Sequence, residues 1–152
     1  AVLFRILVEG RIRASSKVVR GDQPVVSWTS RPPQELGAIR RWNPALIRWT
    51  FEPYGIAVKR DILRRLGARP AIYAASAVYE KLRREDRFRF QLHHPSRSSW
   101  KNEQEWRMPR DLDLTQVPRE EAFAFVPVSS DLEMLRDRTS CFMPILVLNR
   151  GD

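Results

Sequence analysis

The sequence predicts an α+β fold of mixed, mainly antiparallel sheets and short helices, arranged as a single domain over residues 1–152. Three observations predict it. Short runs of β-branched and aromatic residues are bounded by Gly, Pro, Ser or Asn, as strands are. Segments with apolar residues at helical spacing lie between them, several with glycine just past the end. The charge is accompanied by 43% hydrophobic and 10% aromatic residues, so the chain can bury a core that a disordered chain of similar charge could not.

Val2, Leu3, Ile6 and Leu7 have helical spacing and Gly10 suits the left-handed position beyond a helix end. This opening, without an initiating methionine, suggests a fragment of a longer chain or a processed one. Pro24 to Ser30 reads as a strand. Ser30-Arg31-Pro32-Pro33 follows, a serine cap with prolines in the first turn of a short helix through Arg41. Asn43-Pro44 breaks it, and Ile47 to Phe51 reads as a strand. Next come a strand at Tyr54–Val58, a helix at Asp61–Leu66 closed by Gly67, a strand at Arg69–Tyr73 and a helix at Ser76–Arg84, an alternation that looks locally like an α/β unit. From Arg87, Phe88 and Phe90 alternate with Arg89 and Gln91 as in a half-exposed strand. Pro109 to Pro118 reads as a polar loop, Ala122 to Val128 as a strand, Ser130 to Glu133 as a capping box opening a helix to Arg138, and Phe142 to Leu148 as the last strand.

Lys and Arg number 27 against 18 Asp and Glu, a net charge of +9. Only Lys17, Lys59, Lys81 and Lys101 are lysines, so the excess is arginine, which suits bidentate recognition of phosphate. Nucleic acid or a dinucleotide is therefore a reasonable partner, with an arginine-rich genome as the plain account. Cys141 stands alone, which leaves no disulfide framework and no cysteine metal cluster and points to the cytoplasm. No apolar run reaches the roughly eighteen residues of a membrane span. Phosphate-loop and serine-hydrolase motifs are absent from the sequence, so kinase, ATPase and serine-hydrolase chemistry have no support in it.

The stretch with most chemical content is Ser98 to Arg107. Glu103 and Glu105 project to one side if it is extended, and Trp106 to the other. A carboxylate beside a sugar can stabilise oxocarbenium-like charge while a second orients or deprotonates a nucleophile. The same triplet is common in charged sequences. His93-His94 lacks a third ligand at metal-site spacing and reads as a loop pair. Tyr54-Gly55 is a candidate ligand position because glycine permits close backbone approach, though it also reads as a turn into a core strand. Trp42, Trp49, Trp100 and Trp106 are interspersed with arginines, as in base-stacking platforms or an ordinary core.

Leu3-x-x-Ile6-Leu7-x-Glu9-Gly10, Val26-Ser27-Trp28-Thr29, Tyr54-Gly55-Ile56-Ala57, Gly67-Ala68-Arg69-Pro70-Ala71-Ile72-Tyr73 and Glu105-Trp106-Arg107, in that order, resemble the AbiGi-like abortive-infection proteins of bacterial phage defence. The resemblance spans residue 1 to about 115. More loosely, the chain is similar to DarT-like DNA ADP-ribosyltransferases. It also has the general order of that enzyme class, an early arginine, a Ser-Thr-Ser-like strand and a Glu-x-Glu loop, with Trp28 interrupting the small residues.

These resemblances imply an ADP-ribosyltransferase-like fold and an effector or toxin that uses NAD as substrate to modify a nucleic acid or a protein, with a cognate toxin or antitoxin as a further partner. They imply that Glu105 is catalytic, holding the nicotinamide-side ribose, and that Glu103 orients the acceptor. Ser27, Thr29 and Tyr54 would line the NAD site, and Arg11 or Arg13, of which Arg13 is preferred, would grip phosphate. Two other readings stand beside this one: a non-catalytic basic nucleic-acid-binding or toxin-regulating module, and a metal-dependent nuclease using Asp61, Glu103 and Glu105.

Overall fold

The computed structural model of the chain describes residues 2–17, 19–43, 47–93, 103–140 and 143–148. In chain order the helices and strands are α1 (Val2–Glu9), β1 (Arg11–Ile12), β2 (Val26–Thr29), α2 (Leu36–Ile39), β3 (Trp42–Asn43), β4 (Arg48–Trp49), β5 (Gly55–Val58), α3 (Arg60–Arg65), β6 (Arg69–Pro70), β7 (Ile72–Ala74), α4 (Ser76–Tyr79), β8 (Phe90–Leu92), β9 (Glu105–Met108), β10 (Leu112–Asp113), β11 (Ala122–Val126), α5 (Ser129–Arg138) and β12 (Ile145–Val147). The class is mixed α+β: β2–β9, β6–β9, β5–β11 and β3–β4 pair antiparallel, β11–β12 and β7–β8 parallel. No helix among the described residues is long and apolar enough to cross a membrane. Two compact units form, one from 1–11, 31–59 and 114–152, the other from 12–30 and 60–113.

The first unit is built on β11. Its sequence, Ala-Phe-Ala-Phe-Val, is apolar throughout, as a strand covered on both faces requires, and all but Phe123 are buried. β5 pairs with it so that Gly55 stands opposite Phe125. A Cβ at Gly55 would lie 2.8 Å from Phe125 Cζ, so the missing side chain is what lets the ring lie across the neighbouring strand. β12 lies parallel on the other side, and parallel neighbours need a crossover, which α5 provides. Lys59 closes the β5–β11 end with an ion pair to Glu121 at 3.0 Å. α1 buries Leu3 and Leu7, and Gly10 takes the left-handed conformation expected of it, with φ 64.

The second unit is built on β9, flanked by β2 and β6. Val26, Ser27, Trp28 and Thr29 stand opposite Met108, Arg107, Trp106 and Glu105, and Arg69 and Pro70 opposite Arg107 and Trp106. Opposed residues share a face. One face therefore carries Ser27, Thr29, Glu105 and Arg107, and the other Val26, Trp28, Trp106 and Met108. Val19, Val25 and Phe88 form a buried cluster. The Tyr79 ring meets Phe90 edge-on at 5.2 Å, with the Arg20 and Arg87 guanidinium groups 4.3 and 5.1 Å from its centre.

Several local expectations are corrected. The strand–helix–strand alternation makes no α/β unit, because β5 belongs to the β11 sheet and β6 to the β9 sheet. Arg69–Tyr73 is not one strand. Pro70 cannot donate to a ladder, Ala71 makes the last bond to β9 through Glu105 O at 2.9 Å, and Ile72–Ala74 pairs with β8 instead. α4 stops at Tyr79, and Arg84–Arg89 is a 3-10 helix rather than a strand, burying Phe88. The stretch 109–118 buries Leu112, Leu114 and Val117 and is no simple polar loop. Neither proposed serine cap forms: Ser30 bonds to Gln104, and α5 begins after Val128 without a side-chain cap bond.

Candidate active site

Alternation along β9 places Glu105 and Arg107 on one face, two residues apart, and there they meet. Arg107 Nε donates to Glu105 Oε1 at 2.8 Å and Nη2 to Oε2 at 3.2 Å. The rest of the guanidinium is equally engaged. Nη1 donates to the backbone carbonyls of Phe88, at 3.3 Å, and Phe90, and Nη2 to Gln91 Oε1. Arg107 is 2% exposed and is the one buried charged residue among those described. Its five donors are shared among Glu105, Gln91 and the carbonyls at the end of the 3-10 helix and the start of β8, so the forked, planar group suits the position where a lysine would not. The Glu105 side chain is 11% exposed.

Tyr73, on β7, joins this cluster from the side. Its hydroxyl accepts the Glu105 N–H at 3.2 Å, and the His93 ring meets Tyr73 edge-on at 6.3 Å. Burial pushes the Tyr73 hydroxyl above its ordinary value of 10.0, and the Glu105 and Glu103 carboxylates push it further, partly offset by the Glu105 N–H and by Arg107. Both carboxylates therefore act on one hydroxyl. Glu103 does not lie on the strand as expected. Gln104 has φ 47, a left-handed conformation that breaks the extended run, and β9 begins only at Glu105. The turn is fastened from β2: the Thr29 hydroxyl donates to Glu103 O, Ser30 N–H to Gln104 O at 3.1 Å, and the Ser30 hydroxyl to Gln104 Oε1 at 3.0 Å.

A raised phenol pKa has a definite consequence for stability. Between pH 10 and the higher native value, the folded protein holds a proton that the unfolded chain has lost, so stability falls as pH rises through that window and is unaffected by this group below it. Tyr73→Phe removes that contribution. Urea midpoints measured from about pH 8 to about pH 11.5 should decline less steeply above pH 10 in the variant; parallel curves would show that Tyr73 ionises as freely as in the unfolded chain.

Of the residues singled out in the sequence, Glu103, Glu105 and Thr29 come together, and exposed Ser27 stands opposite Arg107 on the same face. Arg13 lies on the exposed stretch after β1 in the same unit. Tyr54 belongs to the other unit. There it lines a cavity of about 240 Å³ between α1, the end of β11 and α5, with Asp131 and Arg138 as charged lining. Sequence reasoning did not join Arg107 or Tyr73 to Glu105. The first had a signal, since a Glu-x-Arg pair on a strand shares a face. The second had none, since the Tyr73–Glu105 contact spans 32 residues. Asp61, on α3, is exposed and pairs with Arg64 at 3.4 Å. Ser98, Trp100 and His94 lie outside the described residues. Among the described residues no three His, Cys, Asp or Glu side chains converge as metal ligands would. No protein-family model, curated protein or solved structure matches the chain.

Proposed function

We propose that this protein is an ADP-ribosyltransferase-like effector of bacterial phage defence, using NAD, with Glu105 as the catalytic carboxylate. One observation carries the reading: Glu105 is a nearly buried carboxylate held in a fixed orientation by the bidentate Arg107 guanidinium, with Thr29 opposite it and a second carboxylate, Glu103, acting on the same tyrosine hydroxyl. A carboxylate oriented before substrate arrives stabilises developing positive charge without reorganising.

In the proposed reaction the bond between ribose C1′ and the nicotinamide nitrogen breaks, and its electron pair leaves with nicotinamide. Glu105 opposes the positive charge that develops on the ribose. A lone pair of the acceptor forms the new bond to C1′, and Glu103 takes up the acceptor proton. Arg13 holds a phosphate of NAD.

The conservative variant Glu105→Gln tests it, because the amide oxygen still accepts one of the two Arg107 hydrogen bonds while the charge is gone. The variant loses stability, since the buried guanidinium loses its counter-charge, so rates are compared at a temperature where both proteins are folded by circular dichroism. Wild-type protein incubated with labelled NAD and mixed DNA, RNA and protein acceptors should release nicotinamide, and E105Q should do so about 100- to 1,000-fold more slowly. Equal rates in the two proteins, or no NAD turnover by the wild type with any acceptor, would sink the assignment.

A further inference from the structure

The first unit holds a cavity of about 240 Å³ that the transfer proposed above does not use. Buried Leu3 of α1, Val126 of β11 and Leu135 of α5 line it, together with the exposed side chains of Phe4 and Met134. Protein interiors pack closely and leave few voids larger than a water molecule. An apolar hollow of this size, reached past exposed apolar side chains, therefore calls for an occupant. An apolar cavity of about 150 Å³ binds benzene, so this one admits a fused bicyclic ring.

The α5 helix shows what the occupant carries. Asp131, Met134, Leu135 and Arg138 line the cavity at i, i+3, i+4 and i+7, the stripe that a helix turns to its core and that is ordinarily apolar. Here opposite charges close its ends, about 10 Å apart along the helix axis. Each sign suits the helix dipole at its own end. The dipole does not select the cavity-facing stripe, however, and the exposed Glu133, Arg136 and Asp137 place charge on the outer face of the same helix. Arg138 is exposed and reaches water, whereas Asp131 is half-buried. Among the described residues neither Asp131 nor the Tyr54 hydroxyl, which also lines the cavity, has a side-chain partner. A half-buried carboxylate is stabilised by a cation that can donate to it. A bare metal ion would need more ligands, and no three acidic, His or Cys side chains converge among the described residues. An ammonium needs only Asp131 and a neighbouring acceptor, and Arg138 repels it from the opposite end.

We propose that this cavity binds a small aromatic amine, its ring against Leu3, Val126 and Leu135 and its ammonium on Asp131. The site lies within the first unit and does not rest on the transfer chemistry.

The full chain is titrated calorimetrically with tryptamine, indole and indole-3-propionate, which share one ring system and differ in charge. Tryptamine should bind one to one and about tenfold tighter than either of the others. Asp131→Asn should bring tryptamine down to the affinity of indole. Glu133→Gln, which removes the same charge from the exposed face of the helix, should leave it unchanged. Because Asp131 is only half-buried, the asparagine variant should keep its fold; should it not, the ligand series on the wild-type chain decides alone. No heat from tryptamine up to about 1 mM, indole or indole-3-propionate binding as tightly as tryptamine, or a folded Asp131→Asn protein that binds tryptamine as well as Glu133→Gln does, would overturn the proposal.

Discussion

Arg107→Ala is expected to destabilise the second unit by about 3–5 kcal/mol, the range for removing one partner of a buried ion pair. Two losses combine. The Glu105 carboxylate, 11% exposed, is left without its bidentate partner, and the carbonyls of Phe88 and Phe90 and the side-chain oxygen of Gln91 lose their donor. Unsatisfied buried acceptors cost more than the net worth of the bonds they made. Arg107→Lys should recover little, since an ammonium cannot span those acceptors in one plane. Replacing both charges, as in Glu105→Leu with Arg107→Met, should be less damaging than Arg107→Ala alone, because no isolated charge remains. Urea denaturation of the three variants measures the order. If Arg107→Ala were as stable as the wild type, the cluster would be too open to water to serve as an oriented site.

Phe125→Ala is the comparable change in the first unit, with an expected cost of about 3–5 kcal/mol for a buried phenylalanine. Phe125 is 5% exposed on the central strand and lies across Gly55. The two positions are coupled. Gly55→Ala alone forces the ring away from a methyl group that would stand 2.8 Å from it, a cost of about 1–3 kcal/mol for overpacking. In a Phe125→Ala background that methyl enters space the ring has vacated. The double variant should therefore be less destabilised than the sum of the singles, and a thermal-melting double-mutant cycle reads the difference. Strict additivity would mean that ring and glycine do not share the space.

Elements marked by local chemistry were legible from the sequence. Gly10 ends α1, β-branched runs make β2 and β5, and the apolar run of 122–126 makes the central strand β11. Elements decided by distant contacts were not. The chain leaves β9 after Ala71 and pairs with β8 from Ile72, and Tyr79, held between arginines at 20 and 87, belongs to a tertiary cluster that no local spacing signals. The same division runs through the candidate site. Alternation told that Glu105 and Trp106 take opposite faces. It could not tell that Glu103 would leave the strand at a left-handed Gln104, nor that Tyr73 would arrive from β7. Nothing local marks Arg107 for burial, which its bonds to Glu105, Gln91 and the carbonyls of Phe88 and Phe90 explain.

The interleaving of the two units has a consequence for synthesis. Every residue of the second unit lies at or before Asp113, whereas the first waits for β11 and β12 at 122–126 and 145–147. A chain emerging from the ribosome at about 5–20 residues per second can close the β2–β9–β6 sheet while β5 still lacks its partner. For those seconds Gly55–Val58 is an apolar strand with open edges, the kind of segment that aggregates or recruits a chaperone. The nascent protein is therefore most vulnerable after one unit has formed and before the other can.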